Sequence, residues 1–77
     1  MNYFLYVLFS ISANRYYIGI SENIKARLTK HNTGNVRSTK AYRPWSIIHI
    51  EQFEEKKQAR QRELYLKRNY QARIEIF

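Results

Sequence analysis

Seven consecutive residues near the start, Tyr3-Phe4-Leu5-Tyr6-Val7-Leu8-Phe9, are apolar or aromatic, with no polar residue to mark a wet face. A strand with one face in water alternates; an unbroken run of this kind reads as a strand covered on both faces. In a chain of 77 residues that is a severe demand, because both covering layers must come from what remains. A domain of this size buries only about 60% of the surface its unfolded chain exposes. The apolar share of 44%, with seven Tyr and four Phe, is enough for one core and one domain over 1–77. There is no Cys, so no disulfide or Cys-held metal can contribute.

The remaining pattern supplies the layers. Ser10 to Asn14 carries turn residues, and Arg15 to Ile20 resumes as a second strand, so the pair reads as a hairpin. With Phe9 opposite Asn14, Tyr6 falls opposite Tyr17 and the two phenols share a face. A one-residue slip would separate them. Ser21 to Asn23 offers N-cap candidates for a helix running to about Asn32 and closed by Gly34. On that helix Ile24 and Leu28 form the apolar stripe, His31 lies within it and Arg27 at its edge. A polar loop over 35–43 leads through Pro44 and Trp45 into a third strand, Ser46 to Phe53. A second helix is expected from Glu54 to about Tyr70, with Ala59, Glu63, Leu66 and Tyr70 on one stripe. Residues 73–77 read as either a terminal strand or an ordered tail. The expected fold is α/β of the α+β kind, in the order β-β-α-β-α, with helices packed on a small, mostly antiparallel three-stranded sheet.

Charge narrows the partner. Fourteen Lys and Arg face six Glu, giving a formal net charge of +8 with aromatics interleaved. That balance suits a nucleic acid or other polyanion. The run from Tyr3 to Phe9 is too short to span a membrane and has no basic lead-in, so the expectation is a soluble cytoplasmic protein, monomeric, with no membrane partner.

One stretch gathers chemistry. Tyr16-Tyr17-Ile18-Gly19 is followed by Arg27 and His31, placing a phenol, a fixed cation and an imidazole close together. Taken singly each has a plain explanation: Tyr6 and Tyr17 as core aromatics, Arg27 as a solvated charge, His31 as a structural histidine, and Glu63 as an i,i+4 partner of Lys67. Glu63 is the least comfortable, since an unpaired carboxylate in an apolar stripe is costly.

Together these residues resemble the GIY-YIG nuclease superfamily. Phe4-Leu5-Tyr6 and Tyr17-Ile18-Gly19 are similar to its two signature tripeptides at the usual spacing, with Phe4 where the name has Gly. Arg27-x-x-x-His31-Asn32 resembles its helix motif, and Ser38-Thr39-Lys40 with Arg43-Pro44-Trp45 resembles the loop of its small stand-alone bacterial members. Ala59-x-x-x-Glu63-x-x-x-Lys67 is similar to its second-helix motif. The resemblance implies a metal-dependent endonuclease cutting phosphodiesters in DNA, with RNA open as a substrate. Branched, nicked or single-stranded forms are possible targets, in repair or recombination. Glu63 would be the one protein ligand of Mg²⁺, or of Mn²⁺ in its place, an ion that keeps most of its waters. Arg27 would hold the phosphoryl oxygens. Tyr17 would act as general base with Tyr6 orienting the water or exchanging that role, and His31 would bond a phenol or relay a proton. Arg37, Lys40, Arg43 and Lys67 would hold the nucleic-acid backbone. The alternative is a nucleic-acid-binding module of the same fold with little or no turnover.

Overall fold

A computed structural model describes residues 2–77. Strand β1 (Tyr3–Ser10) lies at the centre of a three-stranded sheet, between β2 (Arg15–Ser21) and β3 (Ser46–Phe53), and both pairings are antiparallel. Helix α1 (Ile24–Asn32) follows β2; α2 (Lys56–Arg68) and α3 (Tyr70–Ile76) follow β3. A single 3-10 turn, Lys40–Tyr42, interrupts the expected polar loop.

The central strand is covered on both faces, as its composition requires. Leu5 and Val7 point to one side and are fully buried against Ile18, Leu66 of α2 and Ala72 of α3. Tyr6 and Leu8 point to the other and pack with Trp45, Tyr17, and Ile24 and Leu28 of α1. Side chains alternate across a strand, so one run of sequence serves two separate clusters.

The hairpin register differs from the expected one by two residues. Ser10 pairs with Arg15 across a four-residue turn in which Asn14 takes a positive φ of 52°. Tyr6 therefore pairs with Gly19, and Tyr17 with Leu8. Because strand faces repeat every two residues, the phenols still share a face, with ring centroids 6.2 Å apart. The register also explains Gly19. A Cβ there would lie 2.5 Å from Tyr6 Oη, 2.6 Å from Cζ and 3.0 Å from a Tyr17 ring carbon. The glycine lets a buried phenol lie flat across the neighbouring strand.

Helix α1 begins and ends as read. The Asn23 side chain accepts from the Ala26 N–H at 3.1 Å, and Gly34 takes φ of 83° beyond the last turn. The second helix is shorter than expected. It ends at Arg68, and Asn69 adopts an extended backbone and caps a new helix by accepting from the Ala72 N–H at 3.1 Å. Arg73 turns back to donate to the Leu66 and Lys67 carbonyls at 2.7 and 2.8 Å, satisfying the last turn of α2. Residues 73–77 are thus neither strand nor tail: Arg73 to Ile76 close α3, whose end brings Ile76 and Phe77 against the core. Tyr70 leaves the α2 stripe and is exposed, while Ala59, Glu63 and Leu66 stay buried. Among the described residues the sheet runs β2-β1-β3, so β2 is an edge.

Gly19→Ala forces the buried Tyr6 ring to move, and overpacking of this kind costs about 1–3 kcal/mol. In a domain this small each kcal/mol lowers Tm by roughly 4–8 °C, so thermal unfolding of the variant, followed by circular dichroism, is expected to shift down by that order.

Candidate active site

Tyr6 is the anchor. It is 1% exposed, so its hydroxyl must find a partner inside the protein. It lies 3.2 Å from His31 Nε2, and His31 Nδ1 lies 2.8 Å from Thr39 Oγ1. Thr39 Oγ1 in turn donates to the Val36 carbonyl at 3.3 Å. Its proton is therefore committed, so it accepts from His31 Nδ1–H, which leaves Nε2 as the acceptor for the Tyr6 hydroxyl. The chain from Tyr6 through His31 and Thr39 to a backbone carbonyl is closed and internally consistent. Burial, then the nearby positive charge of Arg27, hold the His31 pKa below its usual value, in keeping with a neutral ring.

Tyr17 and Arg27 complete the same face. The His31 ring meets Tyr17 edge-on, with centroids 4.6 Å apart. The Arg27 guanidinium lies beside Tyr6 and Tyr17, and the Tyr6 phenol is the main reason its pKa is raised. Its Nε is buried with no partner. On Tyr6, burial raises the pKa most strongly, the Arg27 guanidinium opposes it, and the charges of Tyr17 and Glu63 add to the rise. The net direction is upward, so Tyr6 is a protonated donor at neutral pH.

Glu63 arrives from α2. It is 5% exposed, with Oε1 bonded to Arg60 and Oε2 bonded to Lys67 at 3.2 Å. The i,i+4 pair with Lys67 therefore exists, and a second cation that the sequence reading did not include shares the carboxylate. Among the described residues no group of three or more His, Cys, Asp or Glu side chains could hold a metal. One carboxylate nevertheless suits an ion that keeps most of its own waters. Both cations on Glu63 belong to exposed side chains, and a metal there must compete with them. A carboxylate oxygen is a donor of the kind that Mg²⁺ or Mn²⁺ takes.

Tyr6, Tyr17, Arg27 and His31 thus stand together on one face, and Glu63 lies apart on α2 with its charge felt at Tyr6. Residues 2–75 match the sequence model of the GIY-YIG catalytic domain. The chain belongs to the GIY-YIG family. That family is one of nucleases, so its substrate is nucleic acid, and its members generally use a divalent metal. Bacterial relatives include the UPF0213 protein YazA of Bacillus subtilis, 32% identical over 77 residues covering 99% of this chain and 77% of the relative. Another is the UPF0213 protein RBAM_000440 of Bacillus velezensis, 39% identical over 67 residues covering 86% of this chain and 67% of that one. The solution NMR structure of the UPF0213 protein BH0048 from Bacillus halodurans shares the fold, with a TM-score of 0.58 at 24% identity, over 97% of this chain and 80% of its own.

Other parts of the GIY-YIG signature act structurally. Asn32 does more than close α1: its amide donates to the Trp45 carbonyl at 3.1 Å and accepts from the Trp45 N–H at 2.6 Å, tying the helix end to the entry of β3. Trp45 Nε1 donates to the Thr39 carbonyl at 3.0 Å, which fixes the residue that orients His31. Asn69 is a helix cap. Arg37, Lys40 and Arg43 are exposed on the loop after α1, and Arg43 Nε bonds the Lys40 carbonyl. None of the three lines a cleft with Tyr17, whereas Lys67 does. Thr39 and Arg60 escaped the sequence reading as site residues: an ordinary threonine in a polar loop, and one more cation on a cationic helix.

The His31 environment sets a pH dependence. Its folded-state pKa is depressed below 6.5, so the unfolded chain binds more protons just below that value. Stability is then full above about pH 6.5 and falls as pH drops towards the folded value. Glu51 is separate. Its burial raises the pKa, but bonds from Arg62 and His49 outweigh that and lower it from 4.5, so its contribution fades only below that pH. Urea unfolding at a series of pH values is expected to show declining stability between about pH 7 and 5, and His31→Gln is expected to flatten that interval.

Proposed function

We propose that this protein is a Mg²⁺-dependent endonuclease that hydrolyses phosphodiester bonds in DNA, acting as a monomer in the cytoplasm. Branched, nicked or single-stranded forms are its substrates. The observation that carries the proposal is the convergence of two phenols, a guanidinium and an imidazole on one face, with the charge of Glu63 reaching Tyr6.

Each residue has a part suited to its surroundings. Arg27, whose Nε is buried and unpartnered, binds the non-bridging oxygens of the scissile phosphate through its forked donors. Tyr17 is more open to solvent than Tyr6 and accepts the proton of the attacking water. A phenol serves as base at neutral pH only where positive charge stands beside it, and Arg27 faces Tyr17. Tyr6, protonated and bonded to His31, orients that water and holds Tyr17 and Arg27 in register. His31 fixes Tyr6 and receives its hydrogen bond at Nε2. Glu63 would hold a divalent cation in place of its bonds to Arg60 and Lys67. A divalent ion there supplies charge for the phosphoryl oxygens and the departing alkoxide. Arg37, Lys40, Arg43 and Lys67 supply backbone contacts, which position the strand without reading its sequence.

The double pairing of Glu63 with Arg60 and Lys67 favours a second reading, a nucleic-acid-binding module in which these internal cations permanently take the place of the metal. Cleavage decides between them. Wild type, Arg27→Ala and Glu63→Ala are compared on labelled duplex, nicked, flapped and single-stranded DNA, with Mg²⁺, Mn²⁺ or EDTA. The endonuclease is expected to cut with either ion, to stop in EDTA, and to lose on the order of 10²–10³ in rate when the charge-stabilising Arg27 is removed. Equal cutting by all three proteins contradicts the assignment, and binding without cutting in every condition establishes the module. A second expectation concerns the loop cations. Alanine at Arg37, Lys40 or Arg43 weakens binding uniformly across sequences and lowers the slope of log affinity against log salt by about 1.

A further inference from the structure

A large cleft lies beside the candidate site, between the free edge of β2 and helix α3. It has a volume of about 760 Å³ and is lined by Tyr16, Tyr17, Lys67, Tyr70, Ile74 and Phe77 among others, within the range of about 300–1,000 Å³ typical of ligand pockets. Two of these residues, Tyr17 and Lys67, belong to the proposed catalytic and backbone-binding set, so the cleft opens directly from the site. Its walls are unusually apolar for so charged a protein: Tyr70 is 69% exposed, Ile74 50% and Tyr16 47%. The charged residues that line it, Lys67 and Arg73, are both cations.

We propose that this cleft receives an unpaired nucleobase next to the scissile phosphate, which makes a single-stranded segment or flap the substrate. The inference rests on the nucleic-acid reading above and narrows it to one class. Duplex DNA offers a protein surface chiefly its phosphates, with base faces hidden in the stack. Exposed rings and an isoleucine beside the reacting face gain nothing from such a substrate. An unpaired strand presents bases with open π-faces, and aromatic platforms interleaved with cations are how single strands are held without sequence preference. Tyr70 is such a platform, with the Arg73 guanidinium 5.7 Å from its ring centre. Across the cleft the rings of Phe9, Tyr16 and Phe77 already form a ladder, with centroids 4.9 and 4.5 Å apart and the last pair nearly parallel. On the other side of Tyr17, a smaller cleft of about 440 Å³ repeats the chemistry, with Arg15 lying 4.4 Å over the Tyr42 ring. An unpaired strand following the β2 edge meets aromatic and cationic groups both before and after Tyr17. Phosphates meet Lys67 and Arg15, and a base stacks on Tyr70.

The test is a binding measurement in EDTA, so that it does not depend on cleavage. Fluorescence anisotropy is recorded for labelled oligo-dT, for the same backbone with abasic residues, and for a blunt duplex. Wild type is expected to bind oligo-dT more tightly than the abasic strand. Tyr70→Ala, at an exposed position, is expected to weaken oligo-dT binding by about 5- to 100-fold, to leave duplex and abasic binding unchanged, and to be rescued by Tyr70→Phe. Equal losses on all three ligands, or no loss, overturn the proposal. So does a dimer of the wild type in sedimentation velocity that Tyr70→Ala dissociates, since a second copy would then occupy the cleft. If stacking is found but no DNA is cut with any metal, the cleft stands and the nuclease reading fails. If DNA is cut and Tyr70→Ala is silent, only the cleft proposal fails.

Discussion

The hydroxyl of Tyr6 has to be satisfied in the middle of a fully buried strand, and much of the structure follows from how this is done. Gly19, the partner of Tyr6 across the hairpin, leaves room for the ring. The acceptor is His31 near the end of α1, which sets where that helix must pack. His31 needs Thr39, Thr39 is held by Trp45, and Trp45 is clasped by Asn32. A loop that looks like an irregular link between α1 and β3 is therefore bound to the core at both ends. A buried polar network of this kind is strong when every member is satisfied and costly when one is missing. The same network leaves Arg27 facing two phenols with a donor to spare, which is the state expected of a group awaiting an anion.

The two sides of the sheet divide the labour. Leu5, Val7, Ile18 and Leu66 make a dry cluster under α2 and α3 that supplies stability. The opposite cluster, around Tyr6, Leu8 and Trp45, carries the titratable groups. Glu63 is the link between them, since α2 packs on the sheet while its carboxylate contributes to the field at Tyr6. Its two cationic partners keep that buried charge compensated, and any metal must compete with them.

The sequence carried the architecture further than its details. The double cover of β1 was readable from the missing alternation in residues 3–9, and the shared face of Tyr6 and Tyr17 from strand period alone. Because that period is two, the hairpin register could be misjudged by two residues without disturbing the face. The break at Asn69 was hidden for a different reason. It sits in a long run of strong helix formers, and the local capping by Asn69 and Arg73 stops one helix and starts another. Leaving residues 73–77 open between a strand and a tail also hid the cleft along β2, because the cleft exists only where α3 faces the strand edge. His31 was legible as a residue in the apolar stripe; its fixed tautomer was not, since that depends on a threonine eight residues away in a loop.

The proposed chemistry requires Glu63 to be a metal ligand in the same site as Tyr17 and Arg27. Titrating ¹⁵N-labelled protein with Mn²⁺ and following paramagnetic broadening tests this directly, because the effect falls off steeply with distance from the bound ion. The account predicts saturable broadening centred on the amides around Glu63, Tyr17, Gly19 and Arg27, lost in Glu63→Ala. Broadening centred on His49 and Glu51, or spread over the exposed glutamates and unchanged in that variant, would contradict it.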